Sequence, residues 1–246
     1  MKIMTVGRFV QAATLCWLFS GVALSAQEQD LDGLIEPYEV VEISSRVPGI
    51  LDEVVVKRGD LVEKDQVLAR LEDSLEEIKV KLARARVEFS TRRSVRNEEL
   101  YEAQLVSMAE KDELETEIAI NKLQVEEAAE MLAMRTIRSP IRGVVVERTR
   151  APGESVGADP ILTVARIDPL NVEVIVPVER YNTITKGMRA EVRPEVAIGG
   201  MYVGEVVIVN QIIDAASGTF GVRVQLSNPD YELPAGVKCK VRFMAP

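Results

Sequence analysis

Histidine is absent from all 246 residues of the chain. That gap removes the Ser-His-Asp and Cys-His arrangements, most catalytic zinc sites and the commonest general base. Cysteine is almost as scarce, with two residues, Cys16 and Cys239. If the N-terminal segment is removed, Cys239 stands alone and no internal disulfide can form. Aromatic residues make up 4% of the chain, which favours several small aliphatic cores over one large core. Nor is there a basic excess: the formal net charge is −9, against the basic face that a nucleic-acid binder normally shows. Acidity of this size is a statement about solubility and identifies no substrate.

Glycine-rich phosphate loops and metal-ligand spacings are also missing. One catalytic string does occur, Gly153-Glu154-Ser155-Val156-Gly157, which fits the G-x-S-x-G nucleophile elbow. It lacks its context, because no histidine can activate Ser155 and no strand-turn-helix pattern surrounds it. The abundant carboxylates lie mostly on helix flanks, where i,i+4 pairing with Lys and Arg explains them better than acid-base chemistry. The expectation is therefore a protein that is not an enzyme, with no cofactor and no bound metal.

What is present begins with a leader. Lys2 and Arg8 precede a mostly apolar run from Phe9 to Leu24, and Val22-Ala23-Leu24-Ser25-Ala26 offers small residues for cleavage. Residues 1–26 are expected to be a signal peptide; the alternative is an uncleaved anchor, since the run nearly reaches the ~20 residues that a spanning helix needs. No other stretch is apolar enough to span a bilayer. Residues 27–39 are expected to be a linker.

From Val40 to Leu71 the chain reads as short strands rich in Val, Ile and Leu, with Gly49, Gly59 and Glu63-Lys64-Asp65-Gln66 marking turns. The pattern returns later. Gly49 and Gly143 lie 94 residues apart, as do Gly59 and Gly153. The same offset sets Ser45 on Ser139, Glu53 on Glu147, Val62 on Val156, Asp65 on Asp159 and Leu68 on Leu162. Two copies of a β-unit that exposes an apolar face are natural partners for one another.

Between the copies, residues 73–136 are charged and helix-periodic. Ser74-Leu75-Glu76-Glu77 and Ser107-Met108-Ala109-Glu110 both have the form of a capping box. Leu75, Ile78, Leu82, Ala85 and Phe89 follow the first, and Leu114, Ile118, Asn121, Val125, Ala128 and Leu132 follow the second, at steps of three and four. These narrow stripes predict the two seams of an antiparallel coiled-coil hairpin, with Asn121 as a register-fixing polar residue. The turn is expected near Leu105 to Ala109. Arms of ~28–32 residues give a hairpin roughly 40–48 Å long. Ile141 to Ile167 is the second half-module, and Asp168-Pro169 is expected to end it. Beyond it, strands near 172–176, 189–193, 204–211, 220–226 and 237–243, a short helix from Tyr181 to Gly187, and turns at Gly199-Gly200, 214–218 and 228–230 suggest a small β-barrel.

The paired β-copies resemble the halves of a biotinyl/lipoyl-type domain, here separated by a helical hairpin instead of a tight turn presenting a lysine. That arrangement followed by a small barrel resembles the periplasmic adaptor proteins, or membrane fusion proteins, of bacterial tripartite efflux pumps (the HlyD-like family, of resistance-nodulation-division type). Ser45-Arg46-Val47-Pro48-Gly49 through Arg58-Gly59-Asp60-Leu61-Val62 carries the likeness. So do Ile137-Arg138-Ser139-Pro140-Ile141-Arg142-Gly143, Ala151-Pro152-Gly153-Glu154-Ser155-Val156, Asp214-Ala215-Ala216-Ser217-Gly218-Thr219 and Leu233-Pro234-Ala235-Gly236-Val237.

The resemblance implies a mainly β fold with a long α-helical coiled-coil hairpin. A split lipoyl-like (barrel-sandwich) domain at 40–72 and 137–168 would carry the hairpin at 73–136, followed by a β-barrel domain at 169–246. It implies a periplasmic adaptor that joins an inner-membrane efflux transporter to a TolC-like outer-membrane channel, self-associates as a trimer or hexamer, and exports small molecules. An ATP-driven exporter as partner and a lipoyl or biotinyl carrier are the alternatives. The family carries an Arg-Leu-Ser signature at the hairpin turn for docking to the channel, and Arg96, Leu100 and Ser107 match its spacing. The plainer readings of the three are a solvated Arg, a seam Leu and a helix-capping Ser. Two departures stand out. Asp65 occupies a position that is often Gly, and residues 27–39 are too few to form the membrane-proximal domain with which typical members contact the pump.

Overall fold

The computed structural model describes residues 30–195 and 200–244. The expected signal peptide and Gly199 of the Gly199-Gly200 turn lie outside the described residues.

The two Gly-punctuated copies fold into one small β-body. In the first copy, β2 (Gly49–Val54), β3 (Leu61–Val62) and β4 (Val67–Leu71) follow the long strand β1 (Leu31–Ser44). The second supplies β5 (Thr136–Arg138), β6 (Gly143–Arg148), β7 (Ser155–Val156) and the start of β8 (Pro160–Pro177). Strands are exchanged between the copies in matching register. Gly49 pairs with Val156 and Ile50 with Ser155, while Val62 pairs with Gly143 and Leu61 with Val144.

Hydrogen bonds repeat the symmetry. Ser45 Oγ donates to the Val47 carbonyl at 2.5 Å, and Ser139 Oγ donates to that of Ile141 at 2.6 Å. Leu51 N–H reaches Glu154 O and Val145 N–H reaches Asp60 O, both at 2.9 Å. Gly59 and Gly153 share a left-handed backbone, φ 91° and 89°, which glycine adopts without steric cost. Asp65 is also left-handed, φ 65°, so the glycine-type turn survives the departure in residue type. Leu51, Val62, Leu68, Leu71, Val145, Leu162 and Val164 fill the core between the copies.

A second β-unit is a closed barrel. Its strands are β9 (Arg189–Pro194), β10 (Tyr202–Val209), β11 (Thr219–Leu226), β12 (Val237–Phe243) and parts of β1 and β8. The order β1-β12-β9-β10-β11-β8 returns to β1 through the β1–β8 pairing. Closure leaves no free sheet edge. Alternation along β11 turns Phe220, Val222, Val224 and Leu226 inward. A 3-10 turn at Val178–Thr183 stands where a short helix ending at Gly187 is expected.

One sequence expectation is corrected here. Residues 31–39, expected as a linker, form the first half of β1, with Leu31 and Ile35 buried in the barrel core. Gly33, Glu36 and Pro37 break the apolar alternation that would mark a strand, and pairing with β12 and β8 supplies what the local pattern lacks. Asp168-Pro169 divides the two cores as expected, with Leu162 and Val164 in one and Leu170 and Val172 in the other, but strand β8 runs through it to Pro177, because β1 lies along it on both sides of that dipeptide. One long antiparallel pair thus ties the two β-units together.

Candidate functional site: the helical hairpin and its tip

Between β4 and β5 the chain leaves the β-body as two helices, α1 (Ser74–Glu102) and α2 (Met108–Ala133). They run antiparallel. From root to tip the cross-links are Glu76 with Arg135, Arg86 with Gln124, Ser90 with Asn121, Arg93 with Glu117 and Glu98 with Lys111.

The root is fixed by a buried ion pair. Arg135 Nη2 lies 2.8 Å from Glu76 Oε1, and the Glu76 side chain is 4% exposed. Arg135 Nη1 also donates to the Pro48 carbonyl at 3.2 Å, so one guanidinium holds α1 and the β-body together. A side chain at Gly49 would come within 2.7 Å of that nitrogen. Burial by itself raises the Glu76 pKa, but its own backbone N–H and the Arg135 partner outweigh that and hold it below the ordinary 4.5.

The seam follows one expectation and reverses another. On α2, Leu114, Ile118, Asn121, Val125, Ala128 and Leu132 are buried or half-buried, as the spacing predicts. From Glu76 to Asn97 the buried and half-buried positions of α1 are Glu76, Val80, Ala83, Val87, Ser90, Ser94 and Asn97. They also keep three-four spacing. The expected stripe stands outside: Leu75, Ile78, Leu82 and Phe89 are 53–60% exposed, and Ala85 is exposed too.

Polar pairing and small size decide which stripe goes in. Glu76 must reach Arg135, Ser90 accepts from Asn121 at 3.2 Å, and small Ala83 and Ser90 let the helices approach closely. An unpaired buried carboxylate or guanidinium would cost more than leaving a Leu in water. Apolar spacing alone could not reveal this; the signal was Arg135 at the far end of the second arm.

The first capping box is absent. Asp73, not Ser74, occupies the N-cap of α1, with no side-chain hydrogen bond. Its carbonyl accepts from Glu77 N–H at 2.9 Å, while the Glu77 carboxylate faces Lys81 at 3.3 Å. The second box is complete, with Glu110 N–H donating to Ser107 Oγ at 3.3 Å and Ser107 N–H to Glu110 Oε2 at 2.8 Å.

The tip is the loop 103–107 and the helix ends on either side. Gln104 turns the chain with φ 59°, and Leu105 N–H closes back on the Leu100 carbonyl at 2.9 Å. Lys111 braces the two ends, 2.8 Å from Glu98 and 5.1 Å from the Tyr101 ring centre. The hydrogen bond to Glu98 is the main reason that its pKa is raised.

Of the three residues singled out, Leu100 and Ser107 share this end of the hairpin, both exposed, and Ser107 caps α2. Arg96 sits about one turn below Leu100 on α1. It is exposed and, among the described residues, pairs with no carboxylate. Sequence reasoning missed Leu105, 71% exposed, and Met108 beside it. These make the tip more apolar than the Arg-Leu-Ser set suggests. An exposed Leu in a turn bounded by Gln and Ser is the signal that could have found it.

The remainder of the surface offers little chemistry. Ser155 sits in the two-residue strand β7, not on a nucleophile elbow. Among the described residues no cluster of acidic or Cys side chains could hold a metal, and no helix is long and apolar enough to cross a membrane. Cys239 is buried in the barrel, and burial, helped by Glu195 and Asp32, pushes its thiol up to about 12.

Residues 39–166 match the family model of the CzcB-like barrel-sandwich hybrid domain, and residues 170–246 match that of the CusB-like β-barrel domain. The nodulation protein NolF of Rhizobium meliloti (strain 1021) is 25% identical over 227 residues, covering 86% of this chain and 62% of NolF. The multidrug resistance protein MdtE of Escherichia coli (strain K12) is 27% identical over 237 residues, with 85% and 62% covered. The chain therefore spans 62% of the length of these two relatives. A MacA–MexA chimeric protein containing the Pseudomonas aeruginosa MexA α-hairpin domain superposes with a TM-score of 0.75 at 20% identity, covering 89% of this chain and 81% of the chimera. At that identity the likeness speaks for the fold.

Proposed function

The chain belongs to the membrane fusion, or adaptor, protein family of resistance-nodulation-division efflux pumps, and on that premise we propose that it is a non-catalytic periplasmic linker. It joins an inner-membrane transporter to a TolC-like outer-membrane channel, with the transporter supplying the energy and small molecules as cargo. The leader at residues 1–26 delivers it to the periplasm. Several copies, a trimer or a hexamer, assemble with their β-bodies in a ring and their coiled-coil hairpins side by side.

One observation carries this reading: a two-helix arm is inserted between the two halves of a β-body and ends in an exposed apolar tip. Leu100, Leu105 and Met108 at that end, with Arg96 close below, have the mixed character of a docking patch. The arm also occupies the place where a lipoyl or biotinyl carrier would present its lysine, which disfavours the carrier alternative. The CusB-like barrel favours a resistance-nodulation-division partner over an ATP-driven one.

Arg96, Leu100 and Ser107 are assigned to channel docking, with Ser107 also serving as the helix cap. Repetition of a weak tip contact around a ring raises avidity through effective concentration, so a small patch suffices. Arg96→Asp should lower co-purification with a tagged outer-membrane channel by roughly tenfold or more, while helix content stays constant. Unchanged co-purification would sink the docking assignment.

A further inference from the structure

The far end of α1 is poorly suited, by its own sequence, to hold a helix. Glu98, Glu99 and Glu102 stand in its final five residues, and the last turn carries no basic side chain. Carboxylates beside the carbonyl end of a helix oppose its dipole, which a cation there would favour. The cation comes from the other arm. Lys111 of α2 lies 2.8 Å from Glu98 and 5.1 Å from the Tyr101 ring centre, with its side chain 27% exposed.

Among the described residues this is the last polar side-chain link between the arms before the loop 103–107. The next one down joins Arg93 to Glu117, five residues earlier on α1, or about 7.5 Å along the axis. Backbone bonds from Gln104 N–H to Tyr101 O and from Leu105 N–H to Leu100 O fold the loop onto α1. They turn with that helix and cannot fix its rotation against α2. The Ser107–Glu110 box belongs to α2 alone.

Helix phase shows what that rotation decides. At about 100° per residue, Glu98 and Tyr101 lie about 60° apart, and Arg96 and Leu100 about 40° apart. From the mean direction of Glu98 and Tyr101, Leu100 is about 130° away and Arg96 about 170°. Drawing Glu98 and Tyr101 onto Lys111 therefore turns Arg96 and Leu100 out of the hairpin along one stripe, and both are exposed.

We propose that Lys111, seated on Glu98 and Tyr101, is a positioning residue for docking: it fixes the rotation of the last turn of α1, and so the direction in which Arg96 and Leu100 meet the outer-membrane channel. The proposal rests on the adaptor reading and deepens it by naming the contact that aims the docking residues. Lys111 acts through α1 and spends its ammonium within the hairpin. An arginine can meet both demands of the site, the charged hydrogen bond and the cation over an aromatic face. Exchanging Lys111 with Glu98 keeps the ion pair and reverses its direction.

Capture of the full chain on a tagged outer-membrane channel, with hydrogen exchange of the same proteins, tests this role. Lys111→Met keeps an apolar stem and removes the charge. It should lower capture roughly fivefold or more and speed exchange of the amides of residues 99–106, leaving the arms below Arg93 unchanged. Lys111→Arg should keep about half or more of the parent's capture. The double variant Glu98→Lys, Lys111→Glu should recover most of what Lys111→Met loses. Capture of Lys111→Met at the parent's level would overturn the proposal. So would a loss that the double variant does not recover, which would make Lys111 a direct contact with the channel. Faster exchange along the whole hairpin would also overturn it, since the loss would then be one of folding. Failure to capture the unsubstituted chain sinks the adaptor reading itself, whereas equal capture of the parent and Lys111→Met sinks the positioning role alone.

Discussion

The β-body and the helical hairpin are held together by different physics. In the body, Leu51, Val62, Leu68, Ala69, Ile161, Leu162 and Val164 have no exposed surface, and the barrel core beside it is as well filled. Burial of aliphatic side chains dominates there. The hairpin buries few large side chains, chiefly Val80 and Leu114, and its inner face includes Glu76 and Ser90. Its shape comes from matched polar groups, and most of its apolar surface still faces water. The lesson is that the body is closed by burial of aliphatic side chains, while the arm is specified by polar contacts and keeps an apolar stripe exposed.

Breaking each region should show this contrast. The largest loss is expected from Leu68→Ala, which opens a cavity at a fully buried position and should cost about 4 kcal/mol in a denaturant titration. Arg135→Ala comes next, at about 3 kcal/mol, because it strands the Glu76 carboxylate at the root. Hydrogen exchange should then show the first turns of α1 opening ahead of the body.

The same pair gives an acid limb. Since the folded state depresses the Glu76 pKa, its contribution is present above the ordinary glutamate value and is lost as the pH falls through the lower folded value. A Glu76→Gln variant should therefore lose less stability than the parent between about pH 5 and pH 2. Equal acid sensitivity in the two proteins would contradict the role given to this ion pair. At the small end, Leu82→Ala should change the stability of the dilute monomer by no more than about 0.5 kcal/mol. That value sits far below Leu68→Ala although both remove the same atoms.

Legibility from sequence divides along the same line. The β-body was readable because its two copies share glycines and apolar positions at one offset, and the structure uses that correspondence strand for strand. The Ser107 capping box and the α2 seam were readable because a short motif or a single stripe left one choice. Two features were not legible. Strand β1 enters the barrel through Gly33 and Pro37, where partner strands override a weak local pattern. On α1 two stripes with the same three-four spacing compete, and the winner is chosen by Arg135 and Asn121 on the other arm. Information of that kind is tertiary, so counting apolar residues favours the wrong stripe.

The central claim is that α1 turns its polar stripe inward and its apolar stripe outward. A scan of single cysteines from residue 75 to residue 90, labelled with a maleimide at a concentration where the chain is monomeric, tests it most directly. The buried thiol of Cys239 stays silent in the native protein. Fast labelling at positions 75, 78, 82, 85 and 89, with slow labelling at 76, 80, 83, 87 and 90, is the predicted result. The opposite phase, with position 82 protected and position 83 reactive, would contradict it.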